Sequence, residues 1–341
     1  MNAEPLILAF ETSCDETAAS VYQQSRGVCS NVLFSQIELH KSYGGVVPEI
    51  ASRSHLEQIT PITTCALREA NVRLADIDVI AVTNKPGLPG SLLIGVCFAK
   101  AIAASANKKL IGVNHLEGHI FSSCIDQNIP FPHLCLTASG GHTALYLVNG
   151  LGDYTLVGHT FDDAAGEALD KVAKLLQLPY PGGPIIEQLA QTLNFQDFFN
   201  YPRSKLLTPD FSFSGLKTAV LYDLVKRGAY DLAAQRLLPG ATAAFKAQVA
   251  SSLLACVADI FTDRLAIAHK QYSEVRAITF VGGVACNQFL RTKIGDWCTA
   301  RELLFVAPPK KYCSDNAAMI AFVGNYKAQR QEFSSLELDI L

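Results

Sequence analysis

"HLCLTASGGHTALYLV", residues 133 to 148, sets an apolar run, a Ser/Gly/Thr turn and a second apolar run in sequence. That order reads as two strands joined by a hairpin. The chain opens on the same plan. "LILAF" (6–10) leads through the polar turn "ETSCDET" (11–17) into "AASVYQ" (18–23), and "GVCSNVLFSQI" (27–37) adds a third apolar run. After each hairpin, helix patterns alternate with strand patterns. In the first half these are a helix over 49–70, strand "DVIAVT", the loop "NKPGLPG", helix "SLLIGVCFAKAIAASAN" and strand "KLIGV". In the second half, helices over 163–178, 214–227 and 239–271 precede strand "AITFVGG", a further helix, strand "LLFVA" and the terminal helix "SDNAAMIAFVGNYKAQ". Alternation of this kind predicts an α/β fold with mixed sheets. Two halves that start alike suggest a duplication. At ~150 residues per domain, the 341 residues divide into lobes at 1–132 and 133–341, with a helical insertion over about 180–240 and the terminal helix packing back on the first lobe.

Hydrophobic residues make up 49% and charged residues 17%, with mean hydropathy +0.21, the profile of a chain with ample core. The most apolar helix candidate, "SLLIGVCFAKAIAASA", is interrupted by Lys100 and falls short of the ~18 apolar residues a membrane span needs. The opening "MNAEPLILAF" has no basic region before its apolar run, so a cytoplasmic, membrane-free protein is expected. Ten cysteines lie in apolar runs with no CxxC spacing, which predicts reduced, buried thiols. A net charge of -3 signals no nucleic-acid partner, so any such contact must be local.

Several short stretches carry chemistry. "NHLEGH" (114–119) puts His115 and His119 one helical turn apart, where two imidazoles can share a metal or simply serve as a satisfied polar pair. In a metalloprotease the glutamate follows the first histidine directly. Glu117 instead stands ~200° around the helix from His115 and points away. A third ligand is needed, and Asp315 in "YCSDNAAM" is a candidate that competes with ordinary helix capping. Two histidines and a carboxylate suit Fe(II), with zinc as the alternative. Gly140-Gly141, Gly182-Gly183 and Gly282-Gly283 each offer unobstructed amides, for tight turns or for a nucleotide. In "DDAAGEALDKVAKLLQL", Ala165, Ala168, Leu169, Val172 and Leu176 share one face and Asp163, Glu167, Asp170 and Lys174 the other, a solvated face or one with a ribose-binding carboxylate. The turn "ETSCDET" groups Glu11, Asp15 and Glu16.

Taken together, "FETSCDETAASVY", "SQIELHKSYGGVVPEIASRSH", "PGLPGSLLIG", "NHLEGH", "SGGHTAL", "DDAAGEALDKVAKLLQLPYPGGP", "DFSFSGLKT", "VGGVACN" and "CSDNAAMIA" closely resemble the tRNA N6-adenosine threonylcarbamoyltransferase family. The likeness is to its bacterial and organellar type, once described as O-sialoglycoprotein endopeptidases. It runs from about residue 6 to 324. It implies an actin-like ATPase (ASKHA) fold of two duplicated lobes with an interlobe cleft. It implies metal ligands at His115, His119 and Asp315, and threonylcarbamoyl-AMP held by Thr137, Ala138, Ser139, Gly140, Gly141, Asp170, Gly183, Glu187 and Asn287.

The implied reaction moves the threonylcarbamoyl group to N6 of adenosine 37 in tRNAs reading codons that begin with A, releasing AMP. Asp15 or Glu16 is the candidate for taking the amine proton. Lys108-Lys109, Arg203, Lys205 and Lys310-Lys311 are the local basic spots for an anticodon loop. The resemblance also implies a paralogous partner subunit and a small ATPase, with a second copy of the chain as a further candidate. Two departures stand out: Asn84 and Lys85 precede Pro86 where the family has small residues and a glycine, and Asn114 replaces a frequent histidine. The rival readings are a small-molecule kinase of the same fold, which has no use for the histidines, and a noncatalytic paralogue.

Overall fold

The computed structural model describes residues 4–203 and 206–340; Lys205, one of the basic candidates, lies outside the described residues. The chain forms two compact units. The first runs through Asn128 and resumes at Lys311; the second spans Ile129–Lys310.

In the first unit, β1 (Ile7–Glu11), β2 (Glu16–Gln23) and β3 (Gly27–Ser35) form an antiparallel meander, followed by the short α1 (Ile37–His40) and by α2 (Pro48–Glu69), which continues through an exposed Pro61. Then come β4 (Val79–Lys85), α3 (Pro89–Ser105), β5 (Lys109–Asn114) and α4 (His115–Phe121). The sheet order is β3-β2-β1-β4-β5, with β1, β4 and β5 parallel. Alternation along the strands covers both faces. Leu8, Phe10, Ile80 and Val82 join a core with Ile59, Ile62, Ala66, Val96 and Ala99 of α2 and α3.

The second unit repeats the plan. Strands β6 (His133–Ala138), β7 (Thr143–Gly150) and β8 (Asp153–His159) are an antiparallel meander. There follow α5 (Ala165–Leu175), α6 (Gly182–Gln191), α7 (Ser214–Lys226), the ribbon β9 (Tyr230–Asp231) and β10 (Arg236–Leu237), α8 (Ala243–Gln271), β11 (Ala277–Val281), α9 (Gln288–Thr299) and β12 (Leu304–Val306). The order β12-β11-β6-β7-β8 places two parallel strands beside the meander, as in the first unit. With α1 and the ribbon β9–β10, strand β8 is an element the sequence reading lacks. It is an edge strand, largely exposed along its length, so no apolar alternation marks it.

The last helix, α10 (Ala317–Gln329), belongs to the first unit, so the division falls at 128/129 and the chain beyond Lys311 does not stay with the second lobe. Packing explains this. Gly324 brings α10 so close to the sheet that a Cβ there would stand 2.7 Å from Ala81 Cβ and 3.4 Å from Ile7 Cγ2. Among the described residues the helix long and apolar enough to cross a membrane is α8, not α3, and most of its apolar window is buried within the protein. Phe261 of α8 meets Phe211, Phe213 and Phe280 edge-on. None of the ten cysteines forms a disulfide, and against the expectation of burial only Cys135, Cys256, Cys298 and Cys313 are buried, while Cys97 is exposed.

Candidate metal centre

Strand β5 runs directly into α4, and the junction delivers the first histidine. Asn114 Oδ1 accepts from Leu116 N (2.8 Å) and Glu117 N (3.4 Å), so Asn114 is the helix cap. One turn on, His119 sets its ring edge-on to that of His115, with centroids 4.6 Å apart. At the mouth of α10, the capping role falls to Asn316, whose Oδ1 accepts from Ala318 N (3.0 Å) and Met319 N (3.3 Å). Asp315 turns instead to the histidines: its Oδ1 lies 3.0 Å from His119 Nε2 and 3.5 Å from His115 Nε2. One ligand atom from each of the three residues lies within 4.8 Å of the others.

Behind His115 stands a buried acid. Glu11 Oε2 accepts from His115 Nδ1 (3.0 Å) and from Thr83 Oγ1 (2.6 Å), while its Oε1 accepts from Ser13 N (2.5 Å). Ser13 Oγ is also 3.1 Å from His115 Nδ1. A carboxylate only accepts, so this bond commits Nδ1 as donor and turns the Nε2 lone pair toward Asp315. Burial alone would lower the basicity of His115, but Asp315 and Glu11 outweigh it and raise the imidazole pKa to about 9. Burial likewise works to raise Glu11, and the charge and hydrogen bond of His115 reverse this, holding it below the ordinary range.

Two carboxylates, the buried Glu11 and the half-buried Asp315, face the two imidazoles, and a cation there would take the place of the proton they favour on His115. Donors bound to one ion at about 2.0–2.2 Å stand ~3–3.5 Å apart, and the spacings of Asp315 to each histidine match. The three residues therefore fit one divalent ion.

Glu117 faces elsewhere. It is 5% exposed, accepts from Tyr326 Oη and pairs with Lys327 Nζ at 3.0 Å, tying α4 to α10. Gly118 allows the close approach, since a Cβ there would be 2.9 Å from Ile320 Cδ1. The protease arrangement is absent. Next to the site, the Asp15–Glu16 turn is pinned by His55 Nε2 on Cys14 O (2.9 Å) and by Leu88 N donating to Ser13 O (2.8 Å). Burial, then the charges of Asp315 and Asp15, push Glu16 well above the ordinary carboxylate range. The sequence reading passed over Ser13, Thr83 and His55, which carry no spacing signal, and noted Glu11 only as an acidic turn residue.

The adenylate candidates lie on the second unit, those from Thr137 to Gly141 and Asn287 at the carboxyl ends of parallel strands β6 and β11. Open α/β sheets hold ligands at this position. Thr137 and Ala138 close β6; Ser139, Gly140 and Gly141 turn into β7, and no atom stands within 4 Å of a Cβ built on either glycine. Asp170 Oδ1 accepts from Gly182 N (2.8 Å) where α6 begins, next to Gly183. Burial raises Asp170, against the backbone bonds from Gly182 and Gly183. Glu187 Oε1 accepts from Gln288 N (2.6 Å) and Asn287 Oδ1 from Leu290 N (2.9 Å), both at the start of α9. Of the basic candidates, Arg203 is spent on Asp197 and Asp259 at 2.7 Å each, and Lys108 Nζ donates to Ala75 O at 2.8 Å.

In fold the chain is similar to HypF of T. kodakarensis (TM-score 0.64, 14% identity, over 99% of this chain and 50% of that one). It is also similar to component A of the (R)-2-hydroxyglutaryl-CoA dehydratase of Acidaminococcus fermentans (TM-score 0.55, 13% identity, over 96% of this chain and 99% of that one). The two like-built sheets thus define a protein of the actin-like ATPase fold. In sequence, residues 27–322 match the TsaD family model, tRNA N6-adenosine threonylcarbamoyltransferase. Relatives of that name from Halalkalibacterium halodurans (45% identical, over 99% of this chain and 96% of that protein) and Bartonella henselae (46%, over 97% and 93%) align along nearly the whole length. The chain belongs to the tRNA N6-adenosine threonylcarbamoyltransferase family.

Proposed function

We propose that this chain transfers the threonylcarbamoyl group from threonylcarbamoyl-AMP to N6 of adenosine 37 in tRNAs reading codons that begin with A. A bond forms from N6 to the carbamoyl carbon, the bond from that carbon to the AMP phosphate oxygen breaks, N6 loses a proton, and AMP departs. The observation that carries the reading is the convergence of His115, His119 and Asp315 on one point, in a chain of this family.

These three residues would hold one divalent ion, Fe(II) by preference and Zn(II) as the alternative, which when bound supplies Lewis-acid polarisation and a template for the acyl adenylate. Glu11, held by Thr83, keeps His115 in the tautomer that leaves Nε2 for the metal. Thr137 to Gly141, Asp170, Gly183, Glu187 and Asn287 bind the adenylate, with the backbone amides of Gly140 and Gly141 stabilising charge that develops on it. Asp15 or Glu16 would take the amine proton, Glu16 with its basicity raised by burial and by the charges of Asp315 and Asp15. An unpaired anticodon-loop base can splay out to be reached, and Lys109, Lys310 and Lys311 are the remaining basic candidates for its phosphates. A paralogous subunit, a small ATPase and a second copy of the chain are the partners proposed, in the cytoplasm.

Nucleoside mass spectrometry tests this after incubation of the protein and its helpers with threonine, bicarbonate, ATP and unmodified tRNA. Threonylcarbamoylated adenosine is expected with the wild type and its loss with His115→Ala/His119→Ala. No product from the wild type, or undiminished product from the variant, overturns the reading.

A further inference from the structure

Asn84 sits where the β4–β5 ladder slips, between the pairs Thr83↔Val113 and Lys85↔Asn114. Irregularities of this kind at a strand end re-aim the side chains beside them. At 7% exposure, its Nδ2 donates to Asp339 O at 2.9 Å. Asp339 belongs to a segment, Phe333–Ile340, laid along the edge strand. Ser334 N donates to Leu110 O (2.8 Å), Ser334 Oγ accepts from Gly112 N (3.0 Å), and Leu338 lies where a Cβ on Gly112 would stand, 2.7 Å from its Cδ1. Leu338 and Ile340 also pack on the core of the first unit.

What this strap clamps is the ground under the metal ligands. Thr83, the residue before Asn84, donates to Glu11, and Glu11 accepts from His115; Val113 and Asn114, opposite the slip, lead directly into His115. We propose that Asn84 and the segment Phe333–Ile340 are positioning elements that hold the Glu11–His115 pair in register for the metal, an inference that rests on the metal reading above. Loss of the Asn84–Asp339 bond frees the slipped strand end, and the Thr83 and His115 side chains lose their fixed separation.

Zinc titration against a chromophoric chelator, with thermal unfolding in parallel, tests this on the wild type, Asn84→Ala, Leu338→Ala, Ile62→Val and His115→Ala/His119→Ala. Removing outer supports of metal ligands weakens binding about 10–100-fold, and a loss at the lower end of that range is expected for Asn84→Ala and Leu338→Ala. Ile62→Val trims the same core away from the strap and is expected to bind zinc as the wild type does. If zinc binds through the two histidines and both strap variants bind it as tightly as the wild type, the strap inference alone falls. If Ile62→Val weakens binding as much as they do, the effect is general loosening and the inference also falls. If the wild type binds no zinc that the histidine double variant lacks, the metal reading falls and takes the inference with it.

Discussion

His115 has a raised pKa because two carboxylates, Glu11 and Asp315, outweigh its burial. In the metal-free protein this has a definite pH signature. Protonation of His115 stabilises the fold fully below the unfolded pKa of about 6.5, and that stabilisation is lost as pH rises through about 9. Chelated wild type should therefore lose melting temperature between about pH 7 and pH 9 more steeply than chelated His115→Gln, a difference that calorimetry can read. Equal slopes would count against the charge arrangement. A neutral Glu11→Gln keeps the shape but loses the charge behind His115, so zinc affinity should fall about 10–100-fold. Glu117 predicts the reverse pattern. Tied to Tyr326 and Lys327, Glu117→Gln should cost about 1.5–3 kcal/mol of stability in chemical denaturation and leave zinc affinity unchanged. These contrasts also show what the sequence could and could not disclose. The spacing of His115 and His119 in "NHLEGH" was readable as a shared face, and so was the misdirection of Glu117. Whether Asp315 or Asn316 caps α10 was not, because adjacent polar residues carry the same propensity and only the turn decides which faces the helix.

At the scale of elements, the two hairpins were legible because β1, β2, β6 and β7 are buried and apolar, with polar turns between. β8 was hidden by its exposure, and the slip in β4–β5 by the fact that a bulge depends on pairing between segments distant in sequence. The turn after β11 also depends on close approach. Gly282 holds φ at +91°, and a Cβ there would lie 2.4 Å from Ala138 O, at the end of β6. Backbone strain of this kind costs about 1–3 kcal/mol before any clash. Gly282→Ala should therefore destabilise the protein by at least that much and weaken adenylate binding by displacing Ala138 and Ser139, measurable by denaturation and by calorimetric titration with a nonhydrolysable adenylate. Full stability in that variant would contradict the close approach.

For the whole molecule, each unit is a meander with two parallel strands beside it, and the repeated hairpin of 133–148 is the trace of that plan in the sequence. The return of α10 to the first unit matters for function, because it brings Asp315 to histidines almost two hundred positions earlier, a separation |i−j| of 196 from His119. Sequence patterns name such a ligand only by its residue type; packing against β1 and β4 brings it to the site. In the proposed reaction, a metal held by this assembled triad is what makes the chain a competent transferase. The most direct measurement supplies preformed threonylcarbamoyl-AMP and unmodified tRNA to chelated protein and to the same protein reloaded with Fe(II) or Zn(II), then follows adenosine 37 by mass spectrometry and AMP by chromatography. Modified adenosine and AMP in equal amounts are expected from the reloaded protein and neither from the chelated one. Equal product from both would contradict the claim.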